Sequence, residues 1–290
     1  MSFFHGMNLK IALQKQGRLA EASTAMLRKC GIRFSNGLGK LRAEAEDFPL
    51  EIYFLRDDDI PEYVADGVAD IGIVGQNVLA EKPCSVEMVE KLGFGRCRLS
   101  IAVPKTFEYE SLTDLEGKRV VTSYPNILSS FFKTRGVDAQ VQAISGSAEI
   151  APSIGLAEAV CDLVSSGNTL FSNGLREVET VMHSQAVLVA RPGLDADRAA
   201  CLDQLLFRIR STIGASQNKY ILLNAPTEKV KAIAEILPGI KSPTVLPLSE
   251  EGWVSIHSVI SENDFWNVVD SLKRAGAEGI LVLSIDQMIR

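Results

Sequence analysis

Basic runs, long apolar stretches, paired cysteines and histidines are all scarce in this sequence. The formal net charge is −6 over 290 residues, and no long basic run interrupts the chain. That balance excludes a general nucleic-acid binder, so any phosphate recognition has to be local, from a few cations and backbone amides. No apolar run approaches the length that crosses a bilayer, and Met1 to Met7 lacks a charged segment followed by an apolar core. Neither membrane insertion nor secretion is expected. The five cysteines, Cys30, Cys84, Cys97, Cys161 and Cys201, form no C-x-x-C pair and have no histidine at metal-ligand spacing. They read as reduced, mostly buried thiols of a cytoplasmic protein. Two apparent nucleotide motifs also fail. Phe34 stands where Gly37-Leu38-Gly39-Lys40 needs the first glycine of a P-loop, and Gly93-Phe94-Gly95-Arg96 lacks the third glycine of a dinucleotide fingerprint.

What the chain does have is a strand-loop-helix unit in Ile144 to Leu170. Its apolar run Ala159 to Val164 is broken only by Asp162 and delivers the chain into Ser165-Ser166-Gly167-Asn168-Thr169. Small residues let amides and hydroxyls approach an anion, and a helix start adds unpaired N–H donors. Asp162 is placed to accept from sugar hydroxyls or to help hold a metal ion. The same five residues also suit an ordinary strand-to-helix turn. A second copy favours the ligand reading: Asp70 and Gly75 repeat the separation of Asp162 and Gly167, each after a small-residue helix end. Two such copies predict two α/β lobes whose strand ends face a shared cleft.

The remaining pattern fits that plan. Leu9 to Leu13 is a strand, and Gln14-Lys15-Gln16-Gly17-Arg18 leads into a helix with Leu19, Ser23, Met26, Leu27 and Cys30 on one face. Lys15 and Arg18 suit a phosphate or plain solvent equally. Leu50 to Leu55 is the next strand. Arg56-Asp57-Asp58-Asp59-Ile60-Pro61 follows, its acids suited to Mg²⁺ or, with Asp59 preferred as a cap, to a helix start. Further strands are expected at Leu99 to Val103, Arg119 to Thr122, Gln140 to Ile144 and Ala186 to Ala190, with helices at Ile127 to Lys133 and Arg198 to Gln217. Tyr124, at a strand end, suits stacking on a base or on Pro125. Beyond Asn218 the order becomes βαββαβ, a ferredoxin-like module whose helix Phe265 to Leu272 is preceded by a capping box, Ser261-Glu262-Asn263-Asp264.

Several separated segments together resemble the long form of ATP phosphoribosyltransferase, the family that opens histidine biosynthesis. They are Gln14-Lys15 with Gly17-Arg18-Leu19, Arg56 to Pro61, Asp66 to Asp70 with Gly72, Thr122 to Pro125, and Glu149-Ile150-Ala151-Pro152 through Asp162 to Leu170. The resemblance runs from about Leu9 to the C-terminus. It implies two lobes like a type II periplasmic binding protein, residues 1–98 with 184–217 and residues 99–183. A C-terminal ACT-like regulatory domain, residues 218–290, would bind histidine. It further implies attack of N1 of ATP on C1′ of phosphoribosyl pyrophosphate, Mg²⁺ held mainly through substrate phosphates, inhibition by histidine and AMP, and dimers assembling to a hexamer. Carried over by motif, Glu149, Asp162, Ser165, Ser166, Gly167, Asn168 and Thr169 hold phosphoribosyl pyrophosphate. Lys15, Gly17, Arg18, Asp70 and Tyr124 line the ATP side, Asp162, Arg18 and Asp70 are catalytic, and Asn224, Thr244 and Ser261 receive the effector. Two positions depart from the family pattern: Ser153 replaces a basic residue and Glu158 an aspartate.

The implied chemistry matches the scarcity of histidine. A ring nitrogen already carries a free lone pair, so orientation and charge neutralisation lower the barrier without an activated nucleophile or a histidine base. His5, His183 and His257 are then free to be structural. Two other classes share the two-lobe plan, a solute-binding protein and a ligand-sensing regulator. The missing export signal and the missing helix-turn-helix count against them.

Overall fold

Apolar runs of five or six residues bounded by turn formers become buried strands, and these set the architecture. The computed structural model describes residues 8–35, 41–237 and 239–289; Gly37-Leu38-Gly39-Lys40 lies outside them. The chain divides into Met1–Leu202 and Asp203–Arg290.

The first unit begins with β1 (Leu9–Gln14), α1 (Arg18–Lys29), β2 (Arg42–Glu44), β3 (Leu50–Leu55), α2 (Ile60–Ala65), β4 (Ile71–Gly75), α3 (Gln76–Glu81) and β5 (Glu87–Lys91). The chain continues through β6 (Cys97–Pro104), β7 (Arg119–Thr122), α4 (Pro125–Arg135), β8 (Gln140–Ala143), β9 (Ala159–Val164), α5 (Asn168–Ser172), β10 (Leu175–Ser184), β11 (Ala186–Ala190) and α6 (Ala196–Ser216). One sheet has the order β2-β3-β1-β4-β11-β5 and the other β10-β6-β9-β7-β8. β1 runs parallel to β3 and β4, and β7 runs parallel to β8 and β9. Except in the edge strand β8, their centres are buried on both faces, with Leu9, Ile11, Leu13, Ile52 and Ile71 fully inaccessible. Such strands read as continuous apolar runs rather than alternating ones.

The chain passes between the sheets twice, after β5 and between β10 and β11. The two passages are tied together, because the Leu92 N–H donates to the Ala186 carbonyl at 3.0 Å and the Ala186 N–H to the Phe94 carbonyl at 2.9 Å. Three strands lack a counterpart in the sequence pattern. β2, β5 and β10 are largely polar and lie at sheet edges, where one partner's ladder suffices and burial is slight.

The second unit contains β12 (Asn218–Pro226), α7 (Val230–Ile236), β13 (Thr244–Pro247), β14 (Trp253–Ser261), α8 (Glu262–Arg274) and β15 (Glu278–Ser284). Its order β13-β14-β12-β15 is the βαββαβ arrangement. Ile221, Leu223, Ala225 and Ile256 pack with Ile233 and Leu272 of the helices. The expected capping box does not form. Ser261 occupies the N-cap of α8 without a side-chain bond; separately, Glu262 pairs with Lys219 at 3.2 Å. Asp59 likewise stands at the N-cap of α2 with no side-chain bond.

Candidate active site

The loop after β9 is exposed at Ser165, Ser166, Asn168 and Thr169, so its hydroxyls and amides are open to a ligand. Gly167 caps α5 with φ 81°, a left-handed conformation that a side chain would strain. α5 has only five residues, Asn168–Ser172, so its dipole adds little. The charge complementing an anion comes from two arginines. The Arg18 Nη1 donates to Ser165 Oγ at 3.1 Å, and the Arg98 Nη1 approaches the Ser165 carbonyl at 3.5 Å. Arg98 is also paired with Glu177. Arg18 follows β1, whereas Ser165 follows β9, so this contact bridges the two sheets.

Just inside the loop lies a group of acids around one phenol. Burial pushes the Asp162 carboxyl above its usual range, and Glu149 adds to the shift. Burial likewise raises Asp57, helped by Asp58. The Tyr124 hydroxyl is raised well above its ordinary value, first by burial and then by the charges of Asp162 and Asp57. Tyr124, Asp162, Glu149 and Asp57 therefore share one electrostatic neighbourhood, assembled from the ends of β7, β9, the turn after β8 and the end of β3. Lys15, Gly17 and Arg18 form the exposed turn between β1 and α1. The Lys15 N–H donates to the Leu55 carbonyl at 2.7 Å, tying that turn to the strand that delivers Asp57.

The family can now be read directly. The family model for ATP phosphoribosyltransferase (HisG) matches residues 56–211, and the HisG C-terminal domain model matches residues 215–287. An ATP phosphoribosyltransferase of Cytophaga hutchinsonii is 54% identical over 97% of this chain and 99% of its own. One from Bacteroides fragilis is 50% identical over the same shares. This chain belongs to the ATP phosphoribosyltransferase family. As in the rest of that long-form family, the chain is a pentosyltransferase of histidine biosynthesis, and the family needs a metal for catalysis. Among solved structures, the ATP phosphoribosyl transferase (HisG:HisZ) complex from Thermotoga maritima contains a similar chain. It is 28% identical with a TM-score of 0.61, covering 71% of this chain and 98% of that one. Tv2483 bound to L-arginine matches at a TM-score of 0.50 and 14% identity over 71% of this chain and 87% of its own, which shows a shared fold alone.

Not every residue that the phosphoribosyltransferase resemblance suggested reaches the site. Asp70 does not. It is 3% exposed, at the start of β4, where the cleft lies at the strand ends. Its carboxylate accepts from the Lys10 N–H at 2.9 Å and from Arg191 Nε at 3.1 Å, and pairs with Arg198 at 3.3 Å. The two copies share a helix start but not a strand end. β4 runs straight into α3, whereas β9 stops before Ser165 and leaves a loop. The same sequence spacing thus places Asp70 at the floor of its sheet and Asp162 near the rim.

The two departures from the family pattern also have local explanations. Glu158 accepts from the Arg119 N–H at 2.8 Å and from its Nη2 at 2.7 Å, which pulls its carboxyl down to about 2. Ser153 donates to the Ile150 carbonyl at 2.7 Å and supplies no cation. Arg98 and Asp57 carry the opposite lesson. Both belong to the site, yet only Asp57 had a sequence signal, the acidic run after β3.

In the second unit the proposed effector residues separate. Asn224 pairs with Ser255, and Thr244 with His257, on rows two residues apart and so on the same face of the sheet. Ser261 pairs with Asn218 at the far end of β12, about 20 Å away at ~3.3 Å per residue. There it lines a different cavity of about 510 Å³ with Asp264 and Ile240. His257, opposite Thr244, is bonded to the Tyr220 hydroxyl at 2.7 Å, a polar pair that no motif in the sequence signals.

Proposed function

We propose that the cleft performs the family reaction by direct displacement, with N1 of the ATP adenine attacking C1′ of phosphoribosyl pyrophosphate as pyrophosphate leaves. The contact that carries this reading is Arg18 on Ser165, a cation from one sheet closing the phosphate loop of the other. Ser165, Ser166, Gly167, Asn168 and Thr169 take the 5′-phosphate through hydroxyls and amides, and Asp162 and Glu149 accept from the ribose hydroxyls. A carboxylate held beneath C1′ also stabilises the positive charge that develops there. Lys15, Gly17 and Tyr124 face the nucleotide. Asp162 and Arg18 are the catalytic pair, and Asp70 is set aside as structural.

The metal is Mg²⁺. Asp162 and Glu149 are neighbouring carboxylates in a cleft that receives two polyphosphates, oxygen donors of the kind a hard cation takes. Among the described residues no three His, Cys, Asp or Glu side chains converge as a ready ligand set. This fits an ion carried by substrate phosphates with Asp162 or Glu149 as protein ligand. When bound, it neutralises the departing pyrophosphate. Residues 218–290 form the regulatory domain, with histidine on the sheet face of Asn224 and Thr244, and AMP competes on the ATP side. The chain assembles from dimers to a hexamer and works in the cytoplasm.

Pyrophosphate release by the full chain, required to depend on ATP, phosphoribosyl pyrophosphate and Mg²⁺ together, tests the reaction. Binding of the ribosyl donor to the protein carrying Gly167→Ala tests the loop. Turnover without either substrate, or unchanged donor affinity in that variant, overturns the respective assignment.

A further inference from the structure

α4 ties only the backbone of Tyr124, whose carbonyl accepts from the Leu128 N–H at 3.1 Å, and leaves its ring hydroxyl to other elements. α4 has no side-chain cap, and Pro125 at its first position has no N–H to offer. The next two N–H groups, of Asn126 and Ile127, donate to the two carboxylate oxygens of Glu81 at 2.9 and 3.0 Å. Glu81 ends α3, on the other side of the lobe boundary, and is itself only 8% exposed. One turn earlier, the Asn77 Nδ2 donates to the Tyr124 hydroxyl at 3.1 Å. Asn77 is fixed in turn by Ser184, whose hydroxyl donates to its Oδ1 at 2.8 Å and accepts from its N–H at 3.1 Å. Ser184 ends β10, at the chain's passage between the sheets. Even the strand end is shaped for this arrangement, since a Cβ on Gly75 would lie 2.3 Å from Asn77 Oδ1.

We propose that Asn77 and Glu81 are positioning residues for Tyr124, fixing the ring hydroxyl and the turn that carries it so that the nucleotide side of the cleft is set across the lobe boundary. This rests on the assignment of Tyr124 to the ATP side. The pair ties the lobes together beside the two chain passages and the Arg18–Ser165 contact. Tyr124 belongs to one lobe, while the groups that aim it belong to the other and to the passage itself. The lobe spacing and the orientation of the ring are therefore set together.

The test is steady-state kinetics on the full chain. Asn77→Ala raises the KM for ATP roughly three- to tenfold, one hydrogen bond's worth, and leaves the KM for phosphoribosyl pyrophosphate within about twofold. Tyr124→Phe, which lacks the hydroxyl, gives a similar rise, and combining the two adds little further. Glu81→Gln retains one acceptor and gives a smaller rise than Glu81→Ala. Gly75→Ala displaces Asn77 without backbone strain, because Gly75 has φ −75°, and it repeats the selective effect should Asn77→Ala fold poorly. Equal increases in both KM values, or independent additive effects of Asn77→Ala and Tyr124→Phe, overturn the proposal. If Tyr124→Ala itself leaves the KM for ATP unchanged, it is the assignment of Tyr124 to the nucleotide that falls.

Discussion

Asp70→Asn separates a structural acid from a catalytic one. In the native protein its carboxylate is 4% exposed at the side chain and holds the start of β4 to β1 through Lys10, while Arg191 and Arg198 neutralise it. Asparagine keeps an acceptor for the Lys10 N–H but removes the charge, leaving Arg191, about three-quarters buried, without its paired carboxylate, while Arg198 keeps Asp195. Breaking one side of a buried pair costs about 3–5 kcal/mol, and the retained acceptor places the loss near the lower end. At about 2–4 °C per kcal/mol for a unit of this size, the melting temperature falls by about 6–12 °C. Differential scanning calorimetry measures that fall, and turnover assayed well below the melting transition stays within about twofold, since Asp70 lies at the strand end remote from the loop. A variant that melts like the native protein yet loses turnover refutes the reasoning and returns Asp70 to catalysis.

Asp162→Asn is expected to lower kcat by about 10²–10³, the scale of losing one preorganised electrostatic contact, while raising the melting temperature. The sign follows from burial: a carboxyl whose folded-state pKa is raised destabilises the protein once ionised, and the amide removes that charge; unaltered kinetics or a lower melting temperature contradicts it. Glu158 is depressed from an ordinary 4.5 to about 2 beside Arg119, so its contribution is present above pH ~4.5 and disappears as pH falls toward 2. Arg119→Ala should move the acid-unfolding midpoint upward, modestly because the pair is part-exposed, and circular dichroism against pH would show no movement if the pair is inert. Asn224→Ala should abolish histidine inhibition whereas Ser261→Ala leaves it intact; the opposite pattern would move the effector to the cavity near Asp264.

Where a segment's burial is decided locally, its structure was legible. Leu50–Leu55, Arg119–Thr122, Ala159–Val164 and Ala186–Ala190 are strands over the expected residues, because each is a short apolar run with turn formers at its ends. β10 was illegible for the converse reason. Leu-Arg-Glu-Val-Glu-Thr-Val-Met-His-Ser is half polar, buried chiefly at its two ends, and is held as a strand by β6 through a ladder with two register shifts. The expected capping box at Ser261 does not form: Ser261 stands at the N-cap of α8, yet its side chain makes no bond to the first turn.

The site divides along the same line. Ser165 to Thr169 is a local loop, and its openness follows from five small or polar residues after a buried strand. Asp70 and Asp162 show what counting residues misses: equal spacing to a glycine says nothing about where the ladder ends. β9 releases its chain before Ser165 because Ser165 and Ser166 are exposed, whereas Ile73, Val74 and Gly75 remain paired with β11 up to the start of α3. Hydrogen bonding carried to the last residue leaves the first copy no free backbone to wrap a phosphate, and the space at its strand end is filled by Asn77 instead. The first copy therefore serves the second, holding Tyr124 beside Asp162 rather than binding an anion of its own.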